Sequence, residues 1–131
     1  MQALARSMNI LIWIIQILLA LLFLFSGSMK FVMSVAEMNN QAAVVLPGIF
    51  LHFIGVCEIL GGVGLILPSL LRIKPGLTPL AAAGLAIITI GATIITLMGP
   101  MKATAIIPFV TALLSTFVAY GRWRLTPISP K

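Results

Sequence analysis

Glu58 and Lys30 are the residues best placed to do chemistry in an apolar setting. Glu58 is the one acid inside a long apolar segment, about nine residues and roughly 13 Å from its start. Lys30 ends the preceding apolar segment, and its long stem can bring the ammonium towards Glu58 on an adjacent antiparallel helix. Glu58 then serves as a proton or cation site, as an acceptor for a polar ligand head, or as a carboxyl that only holds helices together.

Further candidates lie on the mildly polar faces of the other segments. Gln16 shares a face with Lys30. His52 points to a different side of its helix from Glu58, and a hydrogen-bonded structural or rim position explains it better than a ligand role does. Thr96 and Thr111 belong to hydroxyl-bearing stripes that either line a common cavity or serve bundle packing. The candidate ligand-binding residues are Glu58, Lys30, His52, Gln16, Thr96 and Thr111.

The residue counts exclude most self-contained chemistry. One cysteine and one histidine permit no intrachain disulfide, no bis-histidine haem and no metal cluster. The sequence has no phosphate-binding loop, GxSxG elbow or HExxH motif. The net charge of +6 comes from scattered residues that form no basic face, which argues against nucleic-acid binding. We therefore expect no catalysis by this chain alone and no metal.

The elements that must position these residues are membrane helices. The chain is 61% hydrophobic and 8% charged, far below the roughly one quarter of charged residues in a soluble domain. Apolar stretches long enough to cross the hydrocarbon lie at about 8–31, 49–71, 77–98 and 103–121. Short links force consecutive helices to be antiparallel neighbours. We predict an all-α membrane protein, an antiparallel four-transmembrane-helix bundle forming one domain over residues 1–131.

The link between the first two spans is longer than the others. It contains Glu37, the polar run Asn39 to Gln41 and the apolar run Ala42 to Leu46. We expect the first helix to continue past Lys30 to about Val35, to break near the Asn pair, and to be followed by a short interfacial segment.

Basic residues beside the spans predict the orientation. The side that holds both termini carries six Lys or Arg residues and the opposite side carries two. This positive-inside bias places both termini in the cytoplasm of a cell with a bacterial-type inner membrane.

Several motifs resemble the DoxX and DoxX-like membrane proteins. The string from Phe25 to Phe31 is similar to the Gly-x-x-Lys-apolar signature of that family, and the string from Gly55 to Gly62 is similar to its Gly-x-x-Glu followed by paired small residues. Gly91-Ala92 and Tyr120-Gly121-Arg122 also fit. The sequence departs from the family at Thr96, where DoxX-like proteins often carry His.

The resemblance implies an association with membrane oxidoreductase assemblies, such as a thiosulfate:quinone oxidoreductase or thiol-oxidant defence complexes. We expect an accessory subunit that binds a small amphiphile, with a quinone or lipid as the candidate cofactor. Its partners would be the lipid bilayer and a redox subunit or further copies of the chain. The alternatives are a small proton-coupled transporter that uses Glu58 and a purely structural membrane protein.

Overall fold

Four long helices make up nearly all of the described chain. A computed structural model describes residues 2–34, 36, 46–99 and 102–130. The helices are α1 (Gln2–Val32), α2 (Gly48–Leu71), α3 (Leu77–Leu97) and α4 (Ile106–Tyr120). A 3₁₀ turn, Lys102–Ala105, leads into α4, and a π-helical segment, Gly121–Leu125, extends it. The predicted all-α four-helix class is confirmed, with no strand among the described residues.

The exterior of the bundle is apolar. All four helical segments are long and hydrophobic enough to cross a membrane. Large side chains such as Leu21, Ile49 and Ile87 lie exposed on the outer faces, where water would penalise them and lipid does not. Small and polar side chains occupy much of the interior instead, including Ala20, Ala82, Ser115 and Thr78. The protein is therefore a multi-pass membrane protein.

Glycines allow α1 and α2 to pack closely in antiparallel directions. A Cβ on Gly27 would lie 2.7 Å from the carbonyl oxygen of Gly55, and a Cβ on Gly62 would lie 3.2 Å from that of Ala20. The later residue of α1, Gly27, therefore contacts the earlier residue of α2, Gly55, and the earlier residue of α1, Ala20, contacts the later one, Gly62. This order shows that the two helices are antiparallel. Such small-residue crossings are typical of membrane helices, whose backbones approach closely where side chains are absent.

The α2–α3 turn is short and held by polar contacts. Arg72 and Lys74 adopt positive φ angles of 57° and 47°, which reverse the chain within a few residues. Ser69 donates to the hydroxyl of Thr78 at 2.7 Å, and that hydroxyl donates to the carbonyl of Gly64 at 3.0 Å. These bonds satisfy polar groups near the junction and fix α3 against α2.

The chain ends return to the same end of the bundle. A cluster of buried side chains from all four helices, including Ile12, Leu65, Leu85 and Val118, forms the core near this end. A Cβ on Gly121 would overlap the side chain of Ile12, so the end of α4 lies directly against the first half of α1. The N-terminal and C-terminal segments therefore lie on one side of the membrane.

The helix ends differ slightly from the sequence prediction. Helix α1 extends past Lys30, as expected, but ends at Val32 rather than near Val35. The predicted break at the Asn pair and the interfacial segment at 42–46 fall largely outside the described residues. At its other end α1 begins at Gln2, because polar residues outside the hydrocarbon do not end a helix.

Candidate functional site

The close crossing of α1 and α2 positions Lys30 and Glu58. Lys30 lies one turn beyond Gly27 on α1, and Glu58 lies one turn beyond Gly55 on α2. Because the two glycines bring the backbones together, the Cβ of Lys30 comes within 3.1 Å of a Cβ built on Gly55. A lysine and an acid one turn from this crossing are thus brought side by side.

Lys30 and Glu58 form an ion pair. The Nζ of Lys30 lies 2.6 Å from Oε1 of Glu58 and also donates to the hydroxyl of Ser26 at 3.2 Å. The Glu58 side chain is 5% exposed and that of Lys30 is 23% exposed. A buried carboxylate in lipid is costly unless it is paired, so the lysine supplies the compensation that the sequence suggested.

A small cavity lies on one side of the pair, among α1, α3 and α4. It has a volume of about 160 Å³. Its lining combines the ion pair with hydroxyl groups and apolar side chains: Leu22, Phe23, Ser26, Lys30, Glu58, Ile88, Thr89, Ala92, Ile107, Pro108 and Thr111. The hydroxyl of Thr111 donates to the carbonyl of Ile107 at 2.8 Å. Its proton is therefore satisfied within the helix, and its oxygen remains an acceptor.

A larger groove runs between α2 and α3 on another side of the pair. Its volume is about 660 Å³ and its lining is mostly apolar: Lys30, Leu46, Phe50, Leu51, Phe53, Ile54, Cys57, Glu58, Ile87, Ile88, Gly91, Ala92, Ile95 and Thr96. Thr96 donates to the carbonyl of Ala92 at 2.7 Å. A third hollow of about 570 Å³, beside Phe25, Met29 and Leu51, is also lined by Lys30. Lys30 thus borders three hollows and Glu58 borders two.

The structure brings four of the six candidate residues to these hollows. Lys30, Glu58, Thr96 and Thr111 line the cavity, the groove or both. His52 is exposed and lines none of the three; its ring stacks on that of Phe31, with centroids 5.0 Å apart. The sequence predicts that His52 and Glu58 lie on different sides of α2, and in the structure His52 is exposed whereas Glu58 is buried.

Gln16 belongs to a separate polar network. It is fully buried, donates to the carbonyl of Leu65 at 2.5 Å and accepts from Nε of Arg122 at 2.5 Å. Nη1 of Arg122 donates to Oδ1 of Asn9 at 2.6 Å and to the carbonyl of Thr126 at 2.9 Å. At 1.5 Å per residue, Gln16 lies about 21 Å along α1 from Lys30. The structure therefore does not bring Gln16 to the ion pair.

Three further polar side chains at the ion pair, the cavity and the Gln16 network were not among the candidate residues. Ser26 precedes Lys30 by one turn, a spacing that places both on one face of α1. Thr89 lines the cavity from the hydroxyl stripe that also contains Thr96. Arg122 follows the predicted span at 103–121, yet it is 3% exposed and its guanidinium lies over the ring of Trp13. The first two could have been found from helical periodicity.

The site offers little to a metal ion. No group of three His, Cys, Asp or Glu side chains with metal-binding geometry occurs among the described residues. Cys57 is a free thiol that borders the groove. The polar chemistry at the hollows is accordingly that of an ammonium, a carboxylate and neutral hydroxyl oxygens.

Comparison with known proteins identifies the family. No curated protein and no solved structure matches the chain. The family model described as the DoxX-like family matches residues 14–118. That range includes the ion pair, the cavity and the groove. The chain belongs to the DoxX-like family.

Proposed function

We propose that this DoxX-like membrane protein binds a quinone, with the quinone head against Lys30 and Glu58 and the tail in the groove between α2 and α3. The observation that carries the proposal is the position of the ion pair. Its carboxylate is buried and its ammonium is partly buried, yet the pair borders both the small cavity and the apolar groove. A concave, mostly apolar site with a few convergent polar groups is the usual form of a small-molecule site.

The charge of the pair favours a neutral head. Lys30 and Glu58 compensate one another at 2.6 Å. A ligand with a net charge would bring an unpaired charge to membrane depth, which costs several kcal/mol. A quinone is neutral and carries carbonyl acceptors, so its head meets this condition.

The hydrogen-bonding capacity of the site also suits carbonyl oxygens. An ammonium has three N–H donors, and the contacts with Glu58 and Ser26 use two of them. A quinone carbonyl can accept from the third. The hydroxyls of Thr96 and Thr111 donate to their own helices and so offer only acceptors. Lys30 is therefore the proposed donor to the ligand.

The proposed biological role is that of an accessory subunit in a membrane redox system. The sequence has one cysteine and one histidine, so it holds too few redox-active side chains to act alone. A partner subunit would then supply the reaction and this chain would supply a quinone site. We also propose a bacterial-type inner membrane with cytoplasmic termini, on the basis of the six-to-two distribution of basic residues.

The test is mass spectrometry of the protein purified from native membranes. The organic extract of the wild type is expected to contain a quinone. Glu58→Gln and Lys30→Met should reduce the quinone-to-protein ratio about tenfold, since a hydrogen bond to a charged group contributes about 1.5 to 3 kcal/mol. Lys102→Met is the matched control, because Lys102 is exposed and its Nζ donates to the carbonyl of Gly99.

The results separate the quinone from its alternatives. A ratio unchanged in both Glu58→Gln and Lys30→Met would exclude the ion pair as the site. A copurifying phospholipid in place of a quinone would identify a lipid site instead. If no amphiphile copurifies, and if Lys30→Met/Glu58→Leu is more stable than the wild type, the pair is purely structural.

Proton-coupled transport is the second candidate, because Glu58 borders both the cavity and the groove. A carboxylate that faces two hollows can exchange a proton or a cation between them. Proteoliposomes containing the wild type should then show substrate flux driven by a pH gradient, and Glu58→Gln should abolish it. Equal flux in protein-free liposomes would exclude this function.

A further inference from the structure

A second polar hollow lies at the opposite end of α1 from the ion pair. It has a volume of about 560 Å³ and we call it the basic groove. Its lining residues are Ala5, Asn9, Trp13, Ser69, Leu70, Arg72, Leu125, Thr126, Pro127, Ile128 and Ser129. Asn9 lies about 30 Å along α1 from Lys30. The basic groove is therefore independent of the proposed quinone site.

Positive charge at this end has no acidic partner in the described part of the chain. The basic residues are Arg6, Arg72, Lys74, Arg122 and Arg124. The described acid, Glu58, pairs with Lys30 near the other end. Among the described residues, no acidic side chain therefore offsets the positive field around the basic groove.

Arg122 contributes a buried charge behind the groove. It is 3% exposed, and its hydrogen-bond partners are neutral groups of Gln16, Asn9 and Thr126. Its buried Nη2 has no hydrogen-bond partner among the described residues. Asn9 and Thr126 accept hydrogen bonds from Arg122 and also line the groove. A negative charge bound in the groove would therefore be separated from this guanidinium by these two side chains.

Arg72 presents donors at the surface of the groove. Its Nε donates to the carbonyl of Ser129 at 2.8 Å, which fixes the guanidinium and leaves both Nη groups outside that bond. Oδ1 of Asn9 accepts from Arg122, so the amide N–H groups of Asn9 remain as donors. A guanidinium and an amide that line one groove are suited to the oxygens of a phosphate.

The surroundings favour a phosphate that belongs to a lipid. Trp13 and Trp123 lie at this end, where aromatic side chains mark the level of the membrane headgroups. Leu70 lines the groove and is exposed, as are Leu4 and Leu11 on α1, so acyl chains can continue along an apolar surface. Basic pockets between membrane helices bind anionic headgroups by this combination of charge and depth.

We propose that the basic groove binds the phosphodiester headgroup of an anionic phospholipid. Arg72 and Asn9 donate to the phosphate oxygens, and the charge of Arg122 stabilises the bound anion from behind. The lipid thereby bridges α1, the end of α2 and the segment that follows α4.

The experiment measures retained lipid by native mass spectrometry. The protein is reconstituted with phosphatidylglycerol or with phosphatidylcholine, extracted in mild detergent, and the bound lipids per chain are counted. The wild type should retain phosphatidylglycerol and little phosphatidylcholine. Arg72→Gln should lower the retention of phosphatidylglycerol about tenfold. Arg72→Lys keeps the positive charge but loses the planar guanidinium, so it should retain less phosphatidylglycerol than the wild type and more than Arg72→Gln.

Lys74→Gln is the matched control. Lys74 is exposed, belongs to the same turn and also has a positive φ, but it does not line the groove. It should retain phosphatidylglycerol as the wild type does. Equal losses in Arg72→Gln and Lys74→Gln would show diffuse attraction only and would overturn the proposal, as would equal retention of the two lipids by the wild type.

A thermal assay separates a lipid from a free anion. Added phosphatidylglycerol should raise the melting temperature of the wild type in phosphatidylcholine nanodiscs, and inorganic phosphate should not. Equal stabilisation by inorganic phosphate would overturn the assignment to a lipid. Retention in Glu58→Gln should equal that of the wild type, so failure here is distinguishable from failure of the quinone site.

Discussion

Lys30 and Glu58 should be strongly coupled in a double-mutant cycle, and the two single variants should differ in severity. Lys30→Met leaves the Glu58 carboxylate, with a side chain only 5% exposed, without its cation. Breaking a buried pair in this way costs about 3 to 5 kcal/mol, and we take about 3 because the lysine is partly exposed.

Glu58→Gln should be milder. The Lys30 side chain is already 23% exposed, so its ammonium can swing outward on its flexible stem and remain hydrogen-bonded to Ser26. We expect a loss of about 1.5 kcal/mol in the free energy of unfolding. The double variant leaves a neutral amide beside an apolar side chain, and we expect a loss of about 1.5 kcal/mol as well. The coupling energy is then about 3 kcal/mol.

The assay is reversible unfolding in mixed micelles by titration with sodium dodecyl sulfate, followed by circular dichroism. Lys102→Met provides the control and should leave the free energy of unfolding within about 0.5 kcal/mol of the wild type. Additive single effects would refute the interaction. A greater loss in Glu58→Gln than in Lys30→Met would refute the argument from unequal exposure.

The remaining predictions concern packing and the second polar network, and the same unfolding assay measures each of them. Gly27→Ala should destabilise by about 2 kcal/mol, because the new Cβ lies 2.7 Å from a backbone carbonyl oxygen of α2 that cannot yield; Gly84→Ala, which has open space, should stabilise by up to about 1 kcal/mol. Gln16→Leu should cost about 2 to 3 kcal/mol, since it removes the acceptor for the buried Arg122; a change below about 0.5 kcal/mol would contradict this. Ser115→Ala should be neutral or stabilising by about 1 kcal/mol, because that hydroxyl is buried without a partner among the described residues; a clear loss of stability would indicate a missing partner.

The fold was predictable because the bilayer fixes the length of apolar segments. The predicted spans at 49–71 and 77–98 agree to within a residue with Gly48–Leu71 and Leu77–Leu97. Because the turns between them are short, consecutive helices must pack side by side in antiparallel directions. The ends of α1 and of the last span were less predictable, because helices continue beyond the hydrocarbon into the interfacial region.

The contact between Lys30 and Glu58 was also within reach of the sequence. Both residues lie on consecutive helices, and the glycines one turn away mark the face on which those helices approach. The shape of the hollows was not predictable, because it depends on where α3 and α4 lie relative to the pair. Periodicity assigns Thr96 and Thr111 to faces, but it does not indicate which hollow each face borders.

The inward position of Arg122 depends on structure that no local pattern reveals. The π-helical segment Gly121–Leu125 adds a residue to the turn and alters the register that α4 would otherwise continue. Gly121 also lets α4 approach Ile12 so closely that Arg122 reaches Gln16 and Asn9 on the first helix. A basic residue near a membrane surface would ordinarily remain in the headgroup region.

Both polar networks depend on side chains of α1. Its C-terminal end supplies the cation that neutralises Glu58, and its N-terminal half supplies neutral acceptors for Arg122. A carboxylate in place of Gln16 would neutralise Arg122 and so weaken the positive field around the basic groove, to which Arg72 still contributes. Gln16→Glu should therefore retain less phosphatidylglycerol than the wild type, and it should leave quinone retention unchanged. Unchanged retention of phosphatidylglycerol in that variant would show that Arg122 takes no part in holding the lipid.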